Sequence, residues 1–256
     1  MTGPALRVIE GRRGRGLVGC ALATAGAWFV EPAEPADLDP EAAVRAPPQP
    51  RVVVAVFGLA AGCGATVVTR ALAAELAARD PSGTAAVACE ARASGIPLAT
   101  QAASRLARAL EDLPGATTRA VGRLCLIEGA HQLTLAESSR QVAPLVLDAG
   151  STSLGGAPAS MADLTVLVAT PAVEPALARV AADCLARVGA ESIVVVNRAR
   201  PDMPAAPDDD TARTAPGFLP LPESRLGAQL ALGGREARGE LGRAIARLAD
   251  RCGRIG

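Results

Sequence analysis

Residues 52–76, VVVAVFGLAAGCGATVVTRALAAEL, constrain this chain more than any other stretch. The apolar run 52–57 has the length of one buried strand, and a Gly/Ala-rich turn over 58–64 follows it. Val68, Leu72 and Leu76 then recur every four residues, the spacing of one helical face. A strand, a glycine turn and a helix start, in that order, aim backbone N–H groups and the positive end of a helix dipole at one point. That arrangement suits an anion.

Downstream, short apolar runs alternate with helical patterns. Strands are predicted over 85–90, 124–127, 144–148, 163–170 and 193–197, with a short last one over 218–220. Helices are predicted over 98–113, 133–142, 175–188 and 241–252. Continuous apolar strands separated by helices imply a three-layer α/β domain over 51–256, its mostly parallel sheet covered on both faces. Ligands of such sheets bind at the carboxyl ends of the strands. Residues 198–217 hold four prolines and Asp208-Asp209-Asp210, the composition of a mobile loop.

Residues 1–50 read differently. Arg12, Arg13 and Arg15 precede the apolar stretch 17–30, a pattern shared with signal peptides but too short to cross a bilayer comfortably. The expectation is a small element that docks on the domain through Leu17, Val18, Trp28 and Phe29. The Pro-, Ala- and acid-rich stretch 31–50 is a linker.

Composition narrows the chemistry. The chain has no lysine and no tyrosine, so all 26 basic residues are arginine, balanced by 26 acidic ones. Even charge argues against a dedicated nucleic-acid binder. The six cysteines form no C-x-x-C pair and there is one histidine, His131, which gives a structural metal little to build on. A reducing, cytoplasmic setting is the expectation.

The glycine turn can be compared with the phosphate-loop pattern, which ends Gly-Lys-Ser/Thr. Here it ends Gly64-Ala65-Thr66: glycine and hydroxyl are present, the lysine is not. With the other landmarks, this resembles the MinD/ParA family of P-loop ATPases, whose loop reads Lys-Gly-Gly-x-Gly-Lys-Thr-Thr. Laid on 60–67, that loop keeps Gly62, Gly64 and Thr66. Both lysines become alanine, Ala60 and Ala65, and the first glycine and last threonine become Ala61 and Val67. The family's Asp-x-Asp at the end of its second strand is matched by Glu90 and Arg92. Its switch-strand aspartate is matched by Asp148, its Thr-Pro by Thr170-Pro171, its Asn-Arg by Asn197-Arg198, and its Pro-containing base loop by 220–223. The layout is most similar to the CpaE-like branch, tied to septum placement and pilus or secretion loci.

The resemblance implies a nucleotide site. Gly62, Cys63, Gly64, Ala65, Thr66 and Val67 would cradle phosphates, and Asn197 and Pro222 would meet the base. Thr66 and Asp148 would hold Mg2+, and Glu90 and Asp148 would be the catalytic positions. Each has a plainer reading. Thr66 could cap the first helix, Asp148 a turn before Gly150, and Asn197 could form a turn. Glu90 could be a solvated strand end. Cys63 could carry a thiol activated by the helix N-terminus or simply fill a turn. Arg70 and Arg92 are the nearest cations for phosphate, each read as a surface residue.

Min-type relatives end in an amphipathic membrane helix. Leu241, Ile245 and Leu248 share a face here, but without aromatics or lysines the final helix is expected to pack on the sheet. The functional expectation is a degenerate MinD/ParA-like protein with weak or no ATP/ADP binding, acting as a regulatory or scaffolding pseudo-ATPase. Protein partners in division or secretion machinery and a homodimer are expected, without nucleic acid or membrane contact. The alternative is an active ATPase that uses arginine for charge.

Overall fold

The computed structural model describes residues 51–89, 98–150, 154, 156–199 and 218–253. The segment 1–50, Glu90, Arg92 and the stretch 200–217 lie outside the described residues.

Eight strands form one sheet in the order β3-β4-β2-β5-β1-β6-β7-β8. In chain order these are β1 Val53–Gly58, β2 Ala85–Ala88, β3 Thr117–Val121, β4 Leu124–Glu128, β5 Leu145–Gly150, β6 Leu164–Ala169, β7 Ser192–Ala199 and β8 Phe218–Pro222. Every neighbouring pair is parallel except β3 and β4, an antiparallel hairpin at one edge. The helices are α1 Ala65–Arg79, α2 Gln101–Leu110, α3 Gln132–Val142, α4 Ala157–Met161, α5 Pro175–Arg187, α6 Arg225–Leu232 and α7 Gly239–Cys252.

The alternation of β1 shows why the sheet needs two covering layers. Val54 and Val56 enter one core with Leu72, Leu241, Ile245 and Leu248, beneath α1, α6 and α7. Val53, Ala55 and Phe57 enter the other with Leu106, Leu135 and Leu185, beneath α2, α3 and α5. Fully burying an aliphatic side chain contributes roughly 1.5–3 kcal/mol, so a strand buried on both faces holds the middle of the fold.

The final helix packs as expected, with Leu241, Ile245 and Leu248 buried. No helix among the described residues is long and apolar enough to cross a membrane.

The sequence reading missed β3, α4 and α6. It also ran its mobile loop too far upstream, since Arg198 and Ala199 belong to β7. Residues 220–222, expected in a loop over the base, are the end of β8. Two prolines fit there because β8 is an edge strand, where a missing N–H need not break a ladder.

At the amino ends of the strands, Arg140 grips Asp163 through both guanidinium nitrogens, at 2.9 and 2.7 Å. Asp163 in turn accepts from Val53 N–H at 2.8 Å. Arg51 pairs with Asp80 at 3.1 Å. These pairs fix where β1 begins, and so where its carboxyl end delivers the turn.

At the same end, the hairpin turn meets the link between α6 and α7. Arg123 N–H donates to Gly234 O at 2.9 Å. A Cβ on Gly234 would lie on the Val121 carbonyl, and one on Gly122 would lie within 2.6 Å of Gly233 O. Only glycine lets the two backbones come this close.

Candidate functional site

Of the expected positions, those among the described residues lie at the carboxyl ends of β1, β5, β7 and β8 and at the start of α1. β1 ends at Gly58, and the chain turns through 59–64 into α1. Gly62 and Gly64 both take left-handed backbone, with φ of 70° and 88°. Gly64 is the N-cap of α1 and makes no side-chain cap hydrogen bond. The N–H groups of the first turn of α1 are therefore left to a ligand or water, the condition for an anion cradle.

Thr66 does not cap the helix, because the cap position is Gly64. Its hydroxyl makes no hydrogen bond among the described residues. Space beside Gly62 is open, with nothing within 4 Å of where a Cβ would sit.

Cys63 is buried, and its Sγ would come within 2.8 Å of a Cβ on Gly58. The thiol fills the inside of the turn. Ala65 is also buried, its Cβ against Gly58, while Val67 is half-buried on the flank of the same core.

Asn197 ties β7 to this loop. Its Nδ2 donates to Cys63 O at 2.8 Å and its Oδ1 accepts from Arg198 N–H at 3.0 Å. The side chain is 9% exposed. Arg198 follows with φ 59°, the only described non-glycine residue on the left-handed side, and the β7–β8 register shifts between Asn197 and Ala199. A Cβ on Gly64 would collide with Asn197 Nδ2. This makes Gly64 obligatory twice over, by its φ and by its neighbour. Pro222, paired with Ala199, ends β8 at the same rim.

Asp148 pairs in register with Val56 and so faces the α1 side of the sheet. Its Oδ1 accepts from Gly150 N–H at 3.3 Å, the turn-capping contact. The second oxygen is not used in that contact.

Arg70 is a correction. Read as a surface residue, it is 1% exposed. Its Nη1 donates to Leu232 O, the last carbonyl of α6, at 3.1 Å. A cation there complements the negative end of that helix. Its guanidinium also faces Cys89. Burial pushes that thiol up, against the pull of Arg70 and with Asp148 adding to the rise. Arg70 is thus an interior residue, bonded to the last carbonyl of α6 and acting on Cys89. His131 is an exposed residue just before α3. Among the described residues no cluster of His, Cys, Asp and Glu could hold a metal by itself.

A three-layer parallel sheet with a left-handed glycine turn leading into an uncapped central helix defines the P-loop class of α/β folds. The solved structures agree. The chain is similar to a ParA-family ATPase from Chlorobium tepidum, with TM-score 0.52 and 15% identity over 78% of this chain and 98% of that one. It is similar to the ATP complex of an McdA variant from Cyanothece, with TM-score 0.51 and 12% identity over 80% and 97%. It is also similar to the MinD cell division protein of Aquifex aeolicus, with TM-score 0.50 and 16% identity over 78% and 95%. The fold is therefore MinD/ParA-like. No protein-family model matches the chain, and no curated protein matches it in sequence.

Proposed function

We propose that this chain is a MinD/ParA-like P-loop protein of the CpaE-like kind that has lost efficient ATP hydrolysis. It acts in the cytoplasm as a regulatory or scaffolding partner in septum placement or pilus- and secretion-type processes. One observation carries the reading: the cradle keeps its backbone geometry while both lysine positions, 60 and 65, are alanine.

The residues present fit the phosphate part of a nucleotide. Gly62 leaves open space, the first turn of α1 is uncapped, and the Thr66 hydroxyl is unengaged among the described residues. In this reading Gly62–Val67 would hold ATP or ADP, and Thr66 and Asp148 would hold Mg2+. Asn197 and Pro222 border the base side. The nucleotide would bring the phosphoryl group; the chain would bind and orient it. An ATP complex of the McdA relative supports nucleotide as a ligand of this fold.

The charge does not fit efficient catalysis. Losing a charge-assisted hydrogen bond costs ~1.5–3 kcal/mol, about one to two decades of affinity. Phosphoryl transfer depends almost wholly on positioning and charge. Glu90 and Asp148 remain as acidic candidates, while Arg92 takes the place of a family aspartate. The alternative, an ATPase charged by arginine, would have to draw on Arg70, which is buried and already bonded to Leu232 O.

The test is a thermal melt with and without Mg-ATP, joined to an ATP turnover assay. A small shift at millimolar nucleotide and turnover equal to a buffer blank are expected. Ala65→Lys should enlarge the shift. Turnover abolished by Thr66→Ala or Asp148→Ala would overturn the pseudo-ATPase reading. No gain in Ala65→Lys would remove nucleotide sensing and leave the scaffold.

A further inference from the structure

Helix α5 packs on β6 and β7 through Ala178, Ala181, Ala182 and Leu185. Beside that buried face runs a second apolar stripe. Leu177, Val180 and Val188 are 51%, 57% and 58% exposed, and Cys184 between them is exposed too. The spacing of three and four residues puts all four on one strip of the helix. A contiguous exposed apolar row marks an interface more than scattered surface residues do.

A charged row flanks the stripe on its solvent side. Arg179, Asp183 and Arg187 follow one another at one-turn spacing and are all exposed. None of the three has an ion-pair partner among the described residues. Charge of this kind complements itself when the helix runs antiparallel to its own copy, because Arg179 of each copy then meets Asp183 of the other, while Arg187 lies beyond that pair.

We propose that α5 is a self-association face, pairing antiparallel with α5 of a second copy about a two-fold axis at Ala181. Ala181 is the midpoint of the helix, so this register gives the longest overlap. Val180 flanks the axis, offset from Val180 of the second copy by about 3 Å along the helix, Leu177 lies beside Cys184 of the second copy, and Arg179 faces Asp183 twice. A parallel pairing would set arginine against arginine instead. One helix pair buries less than the ~1,200 Å² of a stable complex, so the dimer is a weak one. The face lies on the layer opposite α1, and the proposal needs no nucleotide.

The test uses the full-length chain without nucleotide. Sedimentation over a series from about 5 to 500 μM should show mass rising towards twice the monomer. Val180→Glu, at an exposed position that leaves the fold intact by circular dichroism, should stay monomeric throughout. Oxidation of Leu177→Cys should give a cross-linked dimer that Leu177→Cys with Cys184→Ser does not form. The wild type should not cross-link through Cys184, because the two copies of that residue sit about 9 Å apart along the helix axis at ~1.5 Å per residue. A monomer at every concentration overturns the proposal and leaves the stripe to another partner or none. So does a dimer indifferent to Val180→Glu, or a Cys184-to-Cys184 cross-link in the wild type. None of these outcomes bears on the nucleotide reading, which the melt with Mg-ATP decides separately.

Discussion

Removing Asn197 should loosen the glycine turn, and the size of the effect follows from its two hydrogen bonds. Asn197→Ala deletes the 2.8 Å bond to Cys63 O and the 3.0 Å bond from Arg198 N–H. A hydrogen bond contributes ~1 kcal/mol net, and a buried group left without a partner costs ~1–3 kcal/mol. Arg198 is exposed, so its N–H recovers water, while Cys63 O lies inside the turn. The sum is about 2–4 kcal/mol, or a fall of about 4–16 °C in Tm for a domain of ~200 residues.

Gly64→Ala should cost ~1–2 kcal/mol for left-handed backbone and ~1–3 kcal/mol more for the clash with Asn197 Nδ2. In an Asn197→Ala background the clash is gone. The two changes should therefore be less than additive, by at least ~1 kcal/mol in urea denaturation read by circular dichroism. Additivity within ~0.5 kcal/mol, the behaviour of independent sites, would refute the contact and with it the claim that β7 holds the loop.

The thiols of Cys125 and Cys252 are both pushed up by burial to about 12, from an ordinary 9.0. The fold thus disfavours their thiolates, so the stability they contribute is intact below pH 9 and is lost as pH rises from 9 towards 12. With no lysine or tyrosine titrating in that window, urea midpoints should fall above pH 9, and the fall should be shallower in a Cys125→Ala, Cys252→Ala double variant. A flat profile would contradict the burial. Under native conditions Ellman's reagent should modify Cys184 within minutes, while Cys63, Cys89, Cys125 and Cys252 wait for unfolding; rapid reaction of any of these four would place it at the surface. Gly234→Ala should destabilise by more than ~2 kcal/mol, because two backbones must separate; an unchanged urea midpoint would mean that the turns are not in contact.

The apolar runs made the parallel sheet legible, since β1, β5, β6 and β7 are buried on both faces and read as nearly continuous hydrophobic stretches. Other elements lacked that signal. β3 is TTRAV, polar on its open side, because its antiparallel edge needs only one apolar face. α6 was hidden by Gly227 in its interior, where a Cβ would come within 2.7 Å of Leu241 Cδ2. The burial of Arg70 contradicts the habit of its residue type, yet a clue was present: α1 is buried around most of its circumference. Such a helix offers a mid-helix arginine no solvated face. The cradle was readable from glycine spacing, but Asn197 holding Cys63 was not, because that contact crosses 134 residues.

The meeting of the hairpin turn with the α6–α7 link also sets an order of events during synthesis. Arg123 N–H takes its acceptor from Gly234, and Arg70 takes one from Leu232. At ~5–20 residues per second, the residues between Arg123 and Gly234 take roughly 5–20 s to emerge from a ribosome. During that interval β3 and β4 can form a hairpin, yet neither that turn nor the buried guanidinium has these two carbonyls. The layer over α1 is thus completed by a segment translated more than a hundred residues later, and a nascent chain halted before residue 232 would keep that layer unsealed.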